Sequence, residues 1–441
     1  MNRIILTICI VAGWLLSQAN IVGGDISLLP SYEAKKAKYY DINGKSIPDM
    51  LPWLKEQGWT AIRVRLFVDP SKAPSTEIGE GVCQDLDYVK LLGARIKSAG
   101  FKFLLDFHYS DSWADPAKQY TPDAWKDLTD EQLYDTIYQY TCDCLQTLVD
   151  AGAAPDYIQT GNEISYGMLW GARGTATSQL KKFNTGNSNN DNRFLQLLRQ
   201  ANKACREVCP NAKIIVHTEL VRNITIMNNY YRAIAGIDYD IIGLSYYPYY
   251  HYSLKQLDTA LLQIETNFPS KEVMIVETGF YNNWQPSNIN YDYSTTADSY
   301  GNTYAITPEG QRAFTAALVA KLLEHPVVTG LFWWWPEANE YGVDWHNPVT
   351  SSGWYNAGLW NNNNGRVFPA FYELAAFAPA EEPVEGDVDG DGKVDVSDVN
   401  AAINIILELK VAADYPGDAD LVSDGKVDIS DVNAIINIIL S

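Results

Sequence analysis

Positive charge is scarce in this chain. Across 441 residues, 33 Lys and Arg face 54 Asp and Glu, a formal net charge of −21. Phosphate recognition calls for basic patches, so the charge balance argues against nucleic acid as a partner. Cysteine is also sparse, with six in all, and Cys9 sits in the apolar stretch at the start. The other five, Cys83, Cys142, Cys144, Cys205 and Cys209, are odd in number and lack the spacing of a zinc site. Buried apolar thiols are the expectation; a single bridge between neighbouring helices is the alternative. The apolar run at 4–16 is too short for a comfortable membrane span. With Arg3 before it and Ser17-Gln18-Ala19 after it, residues 1–19 read as a secretory signal peptide cut after Ala19, a retained anchor being the alternative. Export is expected, with the extracellular space, the cell surface and the periplasm all left open. No glycine-rich phosphate turn follows the first candidate strand, which argues against an open nucleotide-binding sheet.

What is abundant points elsewhere. Hydrophobic residues make up 46% of the chain and charged ones 20%, the balance of a well-filled core. The 28 Tyr and 13 Trp suit the apolar faces of sugars, but they also fill cores. Short β-rich runs at 24–28, 61–67, 101–107, 157–160, 213–217, 241–246, 272–277 and 330–334 alternate with amphipathic stretches. The clearest of these stretches are 86–99, 131–151, 194–208, 254–266 and 311–323. Gly100 reads as the end of the helix at 86–99. Eight strands each followed by a helix predict an α/β fold, a (β/α)8 TIM barrel over residues 20–377.

Barrel enzymes keep their chemistry at the C-terminal ends of the strands. Those ends carry Arg65, His108, Asn162-Glu163, His217, Tyr246-Tyr247, Glu277 and Trp333-Trp334-Trp335. Two glutamate motifs stand out, Gly161-Asn162-Glu163 and Val276-Glu277-Thr278-Gly279, each where an apolar run stops. Retaining glycosidases need two carboxyl groups, one to protonate the leaving oxygen and one to attack the sugar carbon, roughly 5–5.5 Å apart. More than a hundred residues separate this pair, so only the fold can join them.

Residues 378–385 form a short acidic, proline-bearing linker, and residues 386–441 hold an internal duplication. In the first repeat Asp387, Asp389, Asp391, Asp395 and Asp398 take positions 1, 3, 5, 9 and 12 of a calcium loop. Gly392 sits at position 6 and Lys393 offers its carbonyl at position 7. The second repeat matches at Asp424, Gly425, Lys426, Asp428 and Asp431. Its start has two readings: the loop bulges and uses Asp418 and Asp420, or Asp420 takes position 1 and Val422 replaces a ligand. Asp in place of Glu at position 12 makes the pattern resemble the dockerin repeat, a small all-α calcium module. That resemblance implies Ca2+ in both repeats and a cohesin-like protein partner, with packing against the barrel as the alternative.

Several stretches of the barrel resemble glycoside hydrolase family 53, the arabinogalactan endo-β-1,4-galactanases. They are Gly24-Asp25-Ile26-Ser27, Arg63-Val64-Arg65, Asp106-Phe107-His108 through Trp113 to Pro116, Asn162-Glu163, Ser245-Tyr246-Tyr247 and Glu277-Thr278-Gly279. The resemblance implies a retaining hydrolase of β-1,4-galactan with no organic cofactor, Glu163 as acid/base and Glu277 as nucleophile. It also implies Arg65, His108, Asn162 and Tyr247 around the reacting galactose, Trp334 as its floor and Trp113 under a further sugar. Arg65 and the Tyr247 hydroxyl are then expected to keep Glu277 ionised, and Asn162 to hold the sugar 2-hydroxyl. Two departures stand against the family pattern. Trp334-Trp335-Pro336 replaces its usual Trp-Glu-Pro, and the stretch 281–307 offers Asp292 and Asp298 but no clean calcium ligand series, so a barrel Ca2+ stays open. A mannan-, xylan- or cellulose-cutting barrel is the enzymatic rival; a noncatalytic galactan-binding protein is the other.

Overall fold

The structure is a computed structural model that describes residues 20–175, 180–284, 292–297, 301–378, 384–390, 393–415 and 417–440. The signal peptide expected at 1–19 lies outside them, as do Asp298, Asp391 and Gly392. The chain divides into two compact units, Met1–Ala378 and Pro379–Ser441.

The first unit is a closed barrel of eight parallel strands. They are β1 (Ile21–Asp25), β2 (Ala61–Leu66), β3 (Lys102–Phe107), β4 (Tyr157–Thr160), β5 (Lys213–Thr218), β6 (Ile241–Tyr246), β7 (Glu272–Thr278) and β8 (Val328–Trp334). The helices packed outside are α1 (Met50–Glu56), α2 (Leu86–Ser98), α3 (Asp130–Asp150), α4 (Ser188–Val208), α5 (Ile224–Ala233), α6 (Leu254–Asn267), α7 (Pro308–Leu323) and α8 (Ala370–Ala375). Local chemistry sets the boundaries. Thr129 and Gln132 form a capping box that starts α3. Gly100 follows α2 with φ +78°, the left-handed turn that glycine permits.

The first strand lies three residues earlier than the sequence suggests, at Ile21–Asp25 instead of 24–28. Gly23 allows it: a Cβ there would stand 1.7 Å from the Ala61 carbonyl oxygen, so β1 packs on β2 only without a side chain. Asp25 ends the strand because its carboxylate turns to Ser27 N and Oγ, 3.1 and 2.5 Å away.

Strand alternation divides the barrel interior into layers. Ile21, Ala61, Leu104, Tyr157, Ile215, Ile241, Met274, Val276 and Phe332 form one buried apolar cluster. Two residues further along, the same faces of β2 to β6 carry Arg63, Asp106, Gln159, His217 and Gly243, and then Arg65 and Ser245. Apolar side chains thus plug the lower barrel while polar ones crowd its C-terminal mouth. A second, larger cluster fills the space between strands and helices, and each buried Leu or Ile contributes about 1.5–3 kcal/mol to it. Cys144 and Cys205 belong to that cluster, and all five cysteines from Cys83 onward are free thiols.

The second unit contains α9 (Val396–Ile406) and α10 (Ile429–Leu440). Val388, Ala401, Ala402, Ala419, Val432 and Ile435 form its core.

Candidate active site

Arg63 organises the barrel mouth. Its guanidinium is fully buried and donates from Nη1 to Asp25 at 2.9 Å. Nη2 reaches Asp106 at 2.8 Å, Glu277 at 2.9 Å and Asn162 Oδ1 at 3.0 Å. A buried guanidinium is stable only among such partners. Burial pushes the Asp106 carboxyl up, but Arg63 and then His108 outweigh it and hold the group below its ordinary range.

Glu277 lies near the end of β7, with Arg63 on Oε1 and the Tyr247 hydroxyl donating to Oε2 at 3.0 Å. Burial pushes its pKa up to about 7, against the pull of Arg63. Arg63 therefore does what the sequence suggested for Arg65. Arg65 instead pairs with Asp25 at 2.8 Å. Its guanidinium lies under three indoles, 4.7 Å from Trp113, 5.2 Å from Trp334 and 5.5 Å from Trp335. Both arginines share one face of β2, but the deeper one reaches across the barrel to β7.

Glu163 follows β4 on a turn with Gly161 at φ +105° and Glu163 itself at φ +46°, a strained setting for a side-chain-bearing residue. Its Oε1 accepts from Ser245 Oγ at 2.6 Å. Burial, then the charges of Glu277 and Glu219, raise its pKa well above the ordinary carboxyl range. Glu219 also borders the cleft; burial lifts it to about 7, and its carboxylate accepts from the Ser165 hydroxyl.

Glu163, Glu277, Asn162, Tyr247, Trp113 and Trp334 all line one cleft of about 690 Å³, with Trp335 and Trp354 completing the aromatic wall. Arg65 and His108 are not among the residues lining it; they are buried and reach it through others. His108 Nδ1 accepts from Ala114 N at 3.0 Å, which leaves Nε2 facing Asp106 at 3.1 Å. The ring thereby braces the loop carrying Trp113. Asn162 Nδ2 donates to Ala114 O at 2.8 Å and so ties its own loop to the same one.

In the second unit, ligand oxygens of Asp387, Asp389 and Asp398 all lie within 4.8 Å of one another. Asp398 accepts from Val388 N and Asp389 N through Oδ1 and from Asp395 N through Oδ2, at 2.8, 3.1 and 2.8 Å. Asp431 repeats this with Val422 N at 3.0 Å and Asp428 N at 2.8 Å. That register makes Asp420 position 1 and Val422 position 3. Asp420 accepts from Asp424 N and Gly425 N, at 3.0 and 2.8 Å, and so closes the first half of the loop. Asp418 falls outside the loop and accepts from Asp420 N at 2.9 Å, so the bulged alternative that used it is not the one adopted. In the barrel, Asp292 turns its carboxylate to Ser294 and Thr295.

Comparison with known proteins fits this geometry. The sequence profile of Glycosyl hydrolase family 53 matches residues 21–374. The chain belongs to that family. It is a glycoside hydrolase, and residues 385–440 match the Dockerin type I domain. An endo-beta-1,4-galactanase of Bacillus subtilis is 28% identical over 82% of this chain and 86% of its own length. A probable arabinogalactan endo-beta-1,4-galactanase A of Neosartorya fischeri is 30% identical over 71% of this chain and 83% of its own. The solved GH53 catalytic domain of Ignisphaera aggregans superposes with a TM-score of 0.68 at 30% identity, covering 81% of this chain and 95% of that one.

The family 53 site holds residues to which the sequence reading gave no role: Arg63, Asp25, Asp106, Gln159, Ser245 and Glu219. A signal for three was present. Asp25, Arg63 and Asp106 are charges inside otherwise apolar strands, and buried charges persist where they meet one another. Gln159, Ser245 and Glu219 carry no such mark in the sequence.

Proposed function

We propose that this glycoside hydrolase is a secreted, retaining endo-β-1,4-galactanase that cuts the β-1,4-galactan of type I arabinogalactan by double displacement. The observation that carries the reading is the unequal treatment of two glutamates facing one cleft: Glu277 beside a cation and Glu163 beside other carboxyls. The galactanase names of the relatives support the choice of substrate.

In the first step Glu277, ionised and aligned by Arg63 and Tyr247, attacks the anomeric carbon. Glu163 gives its proton to the departing glycosidic oxygen, whose bond to carbon breaks with the electron pair. In the second step Glu163, now a carboxylate, takes a proton from water as the water displaces Glu277. A raised pKa on Glu163 keeps the proton available near neutrality. Asn162, beside Glu163 at the cleft, is placed to hold the sugar 2-hydroxyl, a contact that tightens in the transition state. Trp334 supplies the floor under the reacting sugar and Trp113 a platform for the next.

The C-terminal unit fits Ca2+. Asp387, Asp389, Asp395 and Asp398 would hold it in the first loop together with Asp391 and the Lys393 carbonyl. Asp420, Asp424, Asp428, Asp431 and the Lys426 carbonyl would hold it in the second. Val422 removes one oxygen ligand, so the second loop binds more weakly. Held by these residues, a hard cation would neutralise the clustered carboxylates and would steady α9 and α10 for a cohesin-like partner. Product analysis on linear β-1,4-galactan tests the enzymatic reading, with NMR following the anomer first released. Internal cleavage with the β-anomer released supports it; cleavage of mannan or xylan with galactan untouched overturns it.

A further inference from the structure

His217, at the end of β5, is buried and touches both the backbone and, through Ser245, the carboxyl of Glu163. Its Nδ1 lies 3.3 Å from the backbone N–H of Glu163. A backbone N–H can only donate, so Nδ1 accepts. Gln159 Nε2 gives one hydrogen to Asp106 Oδ1 at 2.5 Å and points its other at the same histidine nitrogen, 3.0 Å away. Asn162 Oδ1 is also 3.0 Å from Nδ1, but that oxygen takes an N–H from Arg63 at 3.0 Å. Burial and the nearby Arg63 charge hold the His217 pKa well below the usual imidazole range, which keeps the ring neutral. A neutral ring that accepts at Nδ1 carries its single proton on Nε2. That nitrogen is 2.8 Å from Ser245 Oγ. With its oxygen occupied by the histidine proton, Ser245 sends its own hydrogen to Glu163 Oε1, 2.6 Å away.

We infer that His217 and Ser245 are positioning residues that reserve Oε1 of Glu163 as a permanent acceptor and so confine the catalytic proton to Oε2. This rests on the assignment of Glu163 as acid/base. Oε2 has no hydrogen-bond partner among the described residues. One oxygen then serves both half-reactions. The Oε2–H bond breaks as the glycosidic oxygen takes the proton, and Oε2 regains a proton from the attacking water. Throughout, Ser245 stabilises the carboxylate through Oε1, and His217 keeps the serine from turning round. The backbone N–H that selects the tautomer belongs to Glu163 itself, so the same turn that presents the acid also sets the ring that orients it.

The test compares wild type, Ser245→Ala, Ser245→Thr, His217→Gln and Glu163→Ala on two substrates, linear β-1,4-galactan and 2,4-dinitrophenyl β-galactobioside. The dinitrophenolate leaves without a proton. Ser245→Ala should lower kcat/KM on galactan by roughly tenfold or more and on the aryl substrate by only about twofold. The basic limb of its pH profile should move to higher pH, because a donor to the carboxylate has gone. Ser245→Thr and His217→Gln, which keep a hydroxyl and an N–H donor, should recover most of the galactan rate. Equal losses on both substrates, no loss on either, or an unmoved basic limb would overturn the inference. Ser245→Cys, which keeps the volume and weakens the donor, carries the same comparison if the alanine variant does not fold. Glu163→Ala separates the two claims. If it lacks the split between substrates, the acid/base assignment itself fails; if it shows the split and Ser245→Ala does not, only the positioning role fails.

Discussion

Glu163 and Glu277 face the same cleft but are held by opposite means. Glu277 sits against a buried guanidinium and a phenol, both aimed at its oxygens. Glu163 meets a single hydroxyl, with the carboxyls of Glu277 and Glu219 near enough to resist its ionisation. Burial raises both groups, and the neighbours then separate them: Arg63 pulls Glu277 down against the push of Asp106 and Asp25, whereas Glu163 has carboxyls pushing it up and only the Ser245 hydroxyl against them. Two residues of one type thereby acquire two environments, suited to the two tasks proposed for them, and the difference lies in what the adjoining strands deliver. Strand β2 brings Arg63 to Glu277, whereas β5 and β6 bring only neutral groups to Glu163.

The comparison breaks most completely if the carboxylates are removed one at a time. Glu277→Ala should lower kcat on galactan by about 10⁴-fold or more while galactan binding persists, as affinity electrophoresis would show. Added azide should then restore turnover through the vacated face and yield the α-azide. Glu163→Ala with an aryl galactobioside should instead give the β-azide, because the glycosyl-enzyme still forms. Identical azide products from the two variants would erase the distinction. Arg63→Lys addresses the cation itself. We expect a loss of about 10²-fold in kcat/KM, with the acidic limb of the profile moving to higher pH as Glu277 becomes harder to ionise. An unmoved acidic limb would mean that Arg63 only supports the fold.

A smaller effect comes from a third buried carboxyl that has a role in neither step. Burial, then the Asp25 charge, lift Glu337 to about 8, while its Oε1 accepts from Leu28 N at 2.9 Å. Its folded-state pKa is above its unfolded value. Its contribution to stability is therefore whole below about pH 4.5 and is lost as pH rises through about 8. Glu337→Gln keeps the acceptor and removes the titration. Its Tm, measured against wild type, should gain several degrees between pH 5 and pH 9, on the order of 2 kcal/mol. A pH-independent difference would place the proton elsewhere.

Much of this could be read from residues in a row. Eight apolar runs alternating with amphipathic ones gave the barrel, since period-2 and period-3.6 patterns are local. The two glutamates were legible because each interrupts an apolar run where a strand ends. The partner of Glu277 was not. Arg63 and Arg65 share one face of β2, and only the closed barrel decides which of them meets β7. The first strand was set too late because Gly23 looks unlike a strand residue until its close approach to Ala61 is seen. Ser245 is an ordinary serine in the sequence and acquires a role only between His217 and Glu163. In the C-terminal unit, spacing alone left two registers for the second loop. The hydrogen bonds from Val422 N and Asp428 N to Asp431 chose between them.

The five unbridged thiols carry a consequence for how the molecule can be made. Cys144 and Cys205 are enclosed in the layer around the barrel, and no sulfur crosslink joins any of the five. Rigidity at the mouth of the barrel therefore comes from packing and from the Arg63 charge network, both indifferent to redox state. Dithiothreitol should leave the unfolding midpoint where it is, and material produced in a reducing cytosol should match material produced under oxidising conditions.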